Sequence, residues 1–173
     1  MVMRAFFKRY IPEFVYGAVD GTVTTFAVVA ASAGAGISSA VILILGVANL
    51  IADGFSMGAS AYLAASAEHE ESARDTQKRA SPKIIGAVTF LAFVVVGSVP
   101  VLPYLVDVVA GSKVPGTTLF YVSSALTAVT FLAIGFIKGK VGNQSPWREA
   151  TVTLLLGAIA AGLAYFAGNI LAT

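Results

Sequence analysis

Five stretches of this chain are apolar for long enough to cross a bilayer, and nothing else in it constrains the fold as tightly. They run over about 13–35, 38–66, 83–106, 117–138 and 149–171, and a spanning helix needs roughly 20 mostly apolar residues. Inside hydrocarbon every backbone N–H and C=O must find a partner within the protein, which makes each stretch a helix. The expected fold class is therefore an all-α integral membrane protein with five transmembrane helices, forming a single transmembrane domain over residues 1–173. Only 12% of the residues are charged, against roughly 25% in a soluble domain, too few to cover a soluble globule of this size. The first span is the least apolar, since it holds Asp20 and several Thr residues. The second is long enough to project past the bilayer. The tight link Gly34-Ala35-Gly36 predicts that these two helices form an antiparallel hairpin. The polar loop 67–82 is too short to fold as a domain of its own.

Basic residues set the expected orientation. Ten of the eleven Lys and Arg residues lie before span one, between spans two and three, or between spans four and five. Lys113 alone falls on the other side. The positive-inside rule then puts the N-terminus in the cytoplasm and the C-terminus outside. Lys8-Arg9 followed by Ala31-Ser32-Ala33 has the outline of a secretory signal. However, a signal core is about 7–15 apolar residues and should not contain Asp20-Gly21 and three Thr. A pI near 9.0 with a net charge of only +2, spread between apolar runs, does not make a nucleic-acid stripe. The chain has no Cys, so thiolate metal sites and disulfides are excluded. No HExxH, GxSxG, Walker or Rossmann pattern occurs, and no nucleophile-and-base set is visible, so an enzyme is not expected. No cofactor is expected either.

Charges within the spans carry the functional signal. An Asp at the bilayer centre costs at least ~2.5–3.5 kcal/mol and is functional by default. Two such residues occur, Asp20 and Asp53. Glu13 and Asp107 fall at span ends, where a charge is cheap. Asn49, Asp53 and Met57 are spaced i, i+4, i+8, with Ser56 and Ser60 on or near the same face, which makes one polar stripe along an apolar helix. Counting 1.5 Å per residue puts Asp20 about 10 Å and Met57 about 13 Å in from the cytoplasmic side, with Asp53 one turn further out. Carboxylate, amide and hydroxyl oxygens suit Mn²⁺ or Fe²⁺, and a thioether biases the set against Ca²⁺ and Mg²⁺. Gly17 and Gly21 bracket Asp20 as GxxxG, and Gly54 and Gly58 bracket Met57 in the same way, a spacing that lets helices approach closely. Glu68, His69, Glu70 and Glu71 end the second span. They form either a solvated helix end or a funnel that gathers cations. Other readings stay open: Met57 as core filler, Asn49 as an interhelical hydrogen-bond residue, and the two acids as structural groups bonded to Thr or Ser.

Two segments resemble a known family. Asp20-Gly21-Thr22-Val23-Thr24-Thr25-Phe26-Ala27 resembles the first-helix signature of the vacuolar iron transporter family. Asn49-Leu50-Ile51-Ala52-Asp53-Gly54-Phe55-Ser56-Met57-Gly58, continuing to Tyr62-Leu63, resembles the second. The resemblance implies export of Fe²⁺ or Mn²⁺ from the cytosol, coupled to inward proton movement. It also implies a homodimer whose pathway runs between protomers and is lined by the first two helices. On this reading Asp20 and Met57 are metal ligands, joined by Asp53 and Asn49, with Glu68 and Glu71 as outer candidates. Two departures bear on this. Iron-storing plant and protist members carry Glu where this chain has Asn49, and a small residue where it has Asp53. They also carry a long Glu-rich cytoplasmic domain between spans two and three, of which only 67–82 remains. The expected partners are divalent metal ions, protons, the lipid bilayer and a second copy, and no nucleic acid. The expected location is the cytoplasmic membrane of a prokaryote. Burial favours a protonated carboxyl and a bound cation favours the carboxylate, so acids in such places can exchange protons for metal. A passive cation or proton channel, or a structural membrane protein without transport, would use the same residues differently.

Overall fold

The computed structural model describes residues 2–71 and 80–172, with side chains over 9–68 and 80–172. Six α-helices follow one another: α1 (Val2–Gly34), α2 (Ser39–Glu71), α3 (Pro82–Gly97), α4 (Leu102–Ala110), α5 (Gly116–Val141) and α6 (Pro146–Leu171), with a 3₁₀ turn at Val99–Val101 between α3 and α4. They make five candidate membrane spans, Arg9–Gly34, Ser39–Glu68, Pro82–Ala110, Gly116–Val141 and Pro146–Leu171. No strand occurs among the described residues. The expected all-α membrane fold is the observed one. The helices outrun the apolar stretches, since α1 begins at Val2 and not at 13, and α2 continues to Glu71 and not 66. Polar residues beyond a span remain helical because water serves the outward-facing groups there.

The third span departs from a single continuous helix. Pro100 and Pro103 lack an N–H and cannot continue the ladder, so the chain turns through Ser98–Val101 before α4 resumes. A carbonyl released in a membrane needs a new donor. The Ser123 hydroxyl of α5 supplies one, donating to the Pro100 carbonyl at 2.6 Å. Ser98 Oγ donates to the Val95 carbonyl at 2.8 Å. At the far end of α4, Gly111 takes a positive φ of 62°. There Asp107 Oδ1 accepts hydrogen bonds from Ser112 Oγ at 3.0 Å and from the Val114 N–H at 2.9 Å. Asp107 is buried and shapes this turn, where the sequence suggested only an inexpensive charge.

The α1–α2 link closes as expected. Gly36 has φ +67°, the Ile37 N–H reaches the Ser32 carbonyl at 3.0 Å and the Gly36 N–H the Ala33 carbonyl at 3.1 Å. This is the Schellman arrangement, which ends a helix at a left-handed glycine. Yet α1 packs most extensively on α3 and α6, and less on α2 and α5. The glycines bracketing the acids explain this. Gly17 lies against Thr89 and Ala92, Gly21 against the backbone of Phe93, and Gly97 against the backbone of Gly21. Gly54 lies against Phe90, Phe93 and Val94, and Gly58 against Phe90 and Gly86. Both glycine faces therefore seat α3 within one protomer. A buried cluster of Phe26, Val29, Ile42, Leu50, Phe93, Val101, Tyr104 and Leu119 fills the space between these helices.

Candidate functional site

Asp20 sits mid-helix on α1 and is half-buried. The hydroxyls around it are engaged within α1. Thr24 Oγ1 donates to the Asp20 carbonyl at 2.9 Å and Thr22 Oγ1 to the Ala18 carbonyl at 2.7 Å. Their lone pairs remain available, and α2 uses those of α1 hydroxyls one turn on. Asn49 Nδ2 donates to Thr25 Oγ1 at 3.3 Å and to Thr24 Oγ1 at 3.5 Å. Both bonds are long, so they align the two helices more than they bind them. With its amide nitrogen turned to α1, Asn49 is left with its carbonyl oxygen for a cation. Asp53, one turn along α2, is near enough to Asp20 for the two carboxylates to feel each other's charge.

The polar stripe then leaves the bundle. Asp53, Ser56 and Ser60 are exposed on the protomer surface, on a helix that also exposes the apolar residues Ile51, Phe55 and Leu63. Met57 is half-buried and packs against the cluster that contains Phe93. Asp20 and Met57 lie equally far from the neighbouring span ends at Arg9 and Glu68, about 16 Å in at 1.5 Å per residue. Both residues lie deeper than the roughly 10 and 13 Å expected, because the helical spans begin earlier and end later than the apolar stretches, but at matching depth to each other. Glu68 is exposed at the end of that span, roughly 22 Å along α2 from Asp53, so it is not part of the same constellation. Glu71 ends α2, and its side chain lies outside the described residues, as do those of His69 and Glu70. Among the described residues no three Asp, Glu or His side chains gather into a metal site.

Glu13 matters more than its place in the sequence suggests. It lies seven residues before Asp20, about two turns along the same face of α1. It is half-buried, and its Oε2 is buried without a hydrogen-bond partner among the described residues. A buried carboxylate oxygen without a donor is costly. The seven-residue spacing is the signal that points to it. The apolar run begins at Glu13 and gives it the look of a span end, whereas the helix begins at Val2.

Five helical spans, with an α2 amide bonded to α1 hydroxyls and an acid on each of the two helices, define a multi-pass membrane protein with polar groups along its spans. The VIT family model matches residues 11–81 and 71–169. The chain belongs to the VIT family. It is 25% identical to a vacuolar iron transporter of Toxoplasma gondii, covering 94% of this chain and 74% of that one. It is 26% identical to vacuolar iron transporter 1 of Eucalyptus grandis, covering 90% and 84%, and 24% identical to vacuolar iron transporter 1 of Oryza sativa, covering 90% and 82%. The alignment to the Toxoplasma protein spans 224 positions against 173 residues here, so that relative holds extra residues internally. The family match divides at 71–81, the loop between α2 and α3. These relatives are eukaryotic and vacuolar in name, and lend no support to the expected prokaryotic cytoplasmic membrane.

Proposed function

We propose that this protein is a divalent transition-metal transporter that moves Fe²⁺ or Mn²⁺ out of the cytosol in exchange for protons, with Asp20 as the group that alternates between them. One observation carries the reading: Asp20 is a half-buried acid at mid-span, beside threonines that an α2 amide bonds and within electrostatic range of a second acid. Such an acid at membrane depth marks an ion pathway, and the relatives named above are iron transporters. Asp53, the Asn49 carbonyl oxygen and the Met57 thioether are the further ligands on this reading, with Glu13 as the acid next along α1. Oxygen donors with one sulfur favour Fe²⁺ or Mn²⁺ over Ca²⁺ or Mg²⁺. The basic loops place the N-terminus in the cytoplasm on this reading, which puts Glu13 on the cytoplasmic side of Asp20 and Glu68 at the inner end of α2.

The functional unit on this reading is a homodimer. Asp53, Ser56 and Ser60 are exposed on an otherwise apolar surface, and an Asp left facing lipid costs at least ~2.5–3.5 kcal/mol. A second copy applying the same face covers both acids and brings two Asp20–Asp53 sets to one axis. The chain has no Cys, so a single Ser60→Cys variant tests this directly. Crosslinked dimer in lipid nanodiscs is expected, and strictly monomeric protein would remove the dimer from the reading.

The test of transport is metal flux in liposomes with internal pH recorded. Asp20→Asn keeps the size and removes both the anionic ligand and the proton site. It should fold, since a neutral amide is cheaper in the membrane than a charge, and abolish metal flux together with the coupled proton flux. Wild-type rates in Asp20→Asn would refute the site. Metal flux in the unmodified protein without proton flux would make it a channel.

A further inference from the structure

At the membrane face where α2 ends and α3 begins, a groove of about 350 Å³ runs between the two helices, apart from the acids of α1 and α2. Its floor is made of small residues: Gly58 and Gly86 touch, and Ala59 and Ala87 lie beside them. Phe55, Tyr62 and Phe90 form its walls. At its end stands Lys83, exposed at the start of the third span. Among the described residues that line it the groove has one cation and no carboxylate, the reverse of the charge around Asp20, with Glu68 further along α2. α3 has no acid in its first turn, and the positive end of the helix dipole adds to the charge of Lys83 there. Among the described residues no carboxylate pairs with Lys83.

We infer that this groove binds one anionic phospholipid, its phosphate on Lys83 and an acyl chain along the Gly58–Gly86 floor. The argument is one of position and charge. The groove lies along spans Ser39–Glu68 and Pro82–Ala110, so the ligand that reaches it is one the bilayer supplies. Its volume of about 350 Å³ sits near the lower end of the roughly 300–1,000 Å³ typical of ligand sites, enough for part of an acyl chain but not for a helix. Small residues leave a slot for a flexible chain, and flanking aromatic rings give it apolar walls. Basic pockets between spans on the basic side of a protein are where acidic headgroups settle. A lysine near an anionic surface is worth about a fivefold preference.

The experiment uses the full chain, delipidated in nonionic detergent and titrated with dioleoyl phosphatidylglycerol or dioleoyl phosphatidylcholine, with thermal protection giving the apparent affinity. Phosphatidylglycerol should bind saturably and about fivefold more tightly than phosphatidylcholine. Lys83→Gln should erase the difference and leave phosphatidylcholine binding unchanged. Ala87→Leu, which fills the slot from an exposed position, should weaken both lipids. Glycerol phosphate, the headgroup without chains, should give no protection. Lys113→Gln, at an exposed site on the opposite side, should keep the preference. Equal binding of the two lipids by the unmodified protein overturns the inference. So does a preference that survives Lys83→Gln or is lost in Lys113→Gln, and so does indifference to Ala87→Leu.

Discussion

Gly21→Ala is the most economical test of how α1 is held. A Cβ at Gly21 would lie 2.5 Å from the Phe93 carbonyl oxygen and 2.9 Å from Phe93 Cα. On the other side of the same contact, a Cβ at Gly97 would lie 2.7 Å from Gly21 backbone atoms. The obstacles are backbone, not the ends of flexible side chains, so α1 and α3 must separate. Overpacking of this kind costs about 1–3 kcal/mol, roughly a 5- to 150-fold change in the folding equilibrium. In water Ala would regain up to about 1 kcal/mol of helix propensity. In a membrane the dissociated helices stay helical, and little of that gain is realised. Because the shift occurs beside Asp20, metal transport should fall as well. The assay is SDS titration in mixed micelles followed by near-UV circular dichroism, with Gly162→Ala as the partner variant. A methyl added at Gly162 would meet nothing within 4 Å, and this substitution should stay within about 0.5 kcal/mol of the parent. If Gly21→Ala and Gly162→Ala unfold together with the parent protein, the close α1–α3 approach is wrong.

Four further outcomes are expected. Asp107→Ala removes the acceptor of the Ser112 and Val114 bonds and should cost about 2 kcal/mol, the worth of bonds to a charged group, measured in the same SDS titration. Lys138→Ala breaks the 2.9 Å ion pair with Glu149. With half of the Lys138 side chain in solvent, the loss in that titration should stay below about 1 kcal/mol. Met57→Leu conserves volume and should cost less than about 1.5 kcal/mol, while competition flux assays should show weaker discrimination of Fe²⁺ from Mg²⁺. Glu13→Gln should leave the thermal midpoint unchanged or raised, because a buried carboxylate oxygen without a donor is replaced by a neutral amide. Metal flux should fall. Unaltered flux would make Glu13 a bystander.

The five spans are legible because hydropathy over some twenty residues is a property of the chain alone. The break in the third is not read from hydropathy, because the apolar run passes through Pro100 and Pro103 without interruption. The small-residue faces read correctly as contact surfaces and leave the partner unnamed. Spacing states that Gly17 and Gly21 admit a close neighbour, and it cannot state that the neighbour is α3. The stripe of Asn49, Asp53 and Met57 likewise shows which residues share a face. Its rotation is what separates them, turning Asn49 toward Thr25, Met57 toward the core and Asp53 outward. Rotation about a helix axis follows from the packing of α3, which no local pattern records.

The central position of α1 bears on how the protein is made. α1 is made before its chief neighbours, α3 and α6, and α6 is made after α3. Until α3 arrives, the Gly17–Gly21 face has nothing to close on, and until α6 arrives Gly34 lacks Tyr165 and Ala31 lacks Gly168. A nascent chain released after residue 71 would hold a hairpin joined by its Gly36 turn, the long Asn49 bonds and the part of the apolar cluster that Phe26, Val29, Ile42 and Leu50 supply. Assembly is therefore expected to be late and nearly all-or-none, with the Asp20 helix waiting in the membrane for partners still to be synthesised.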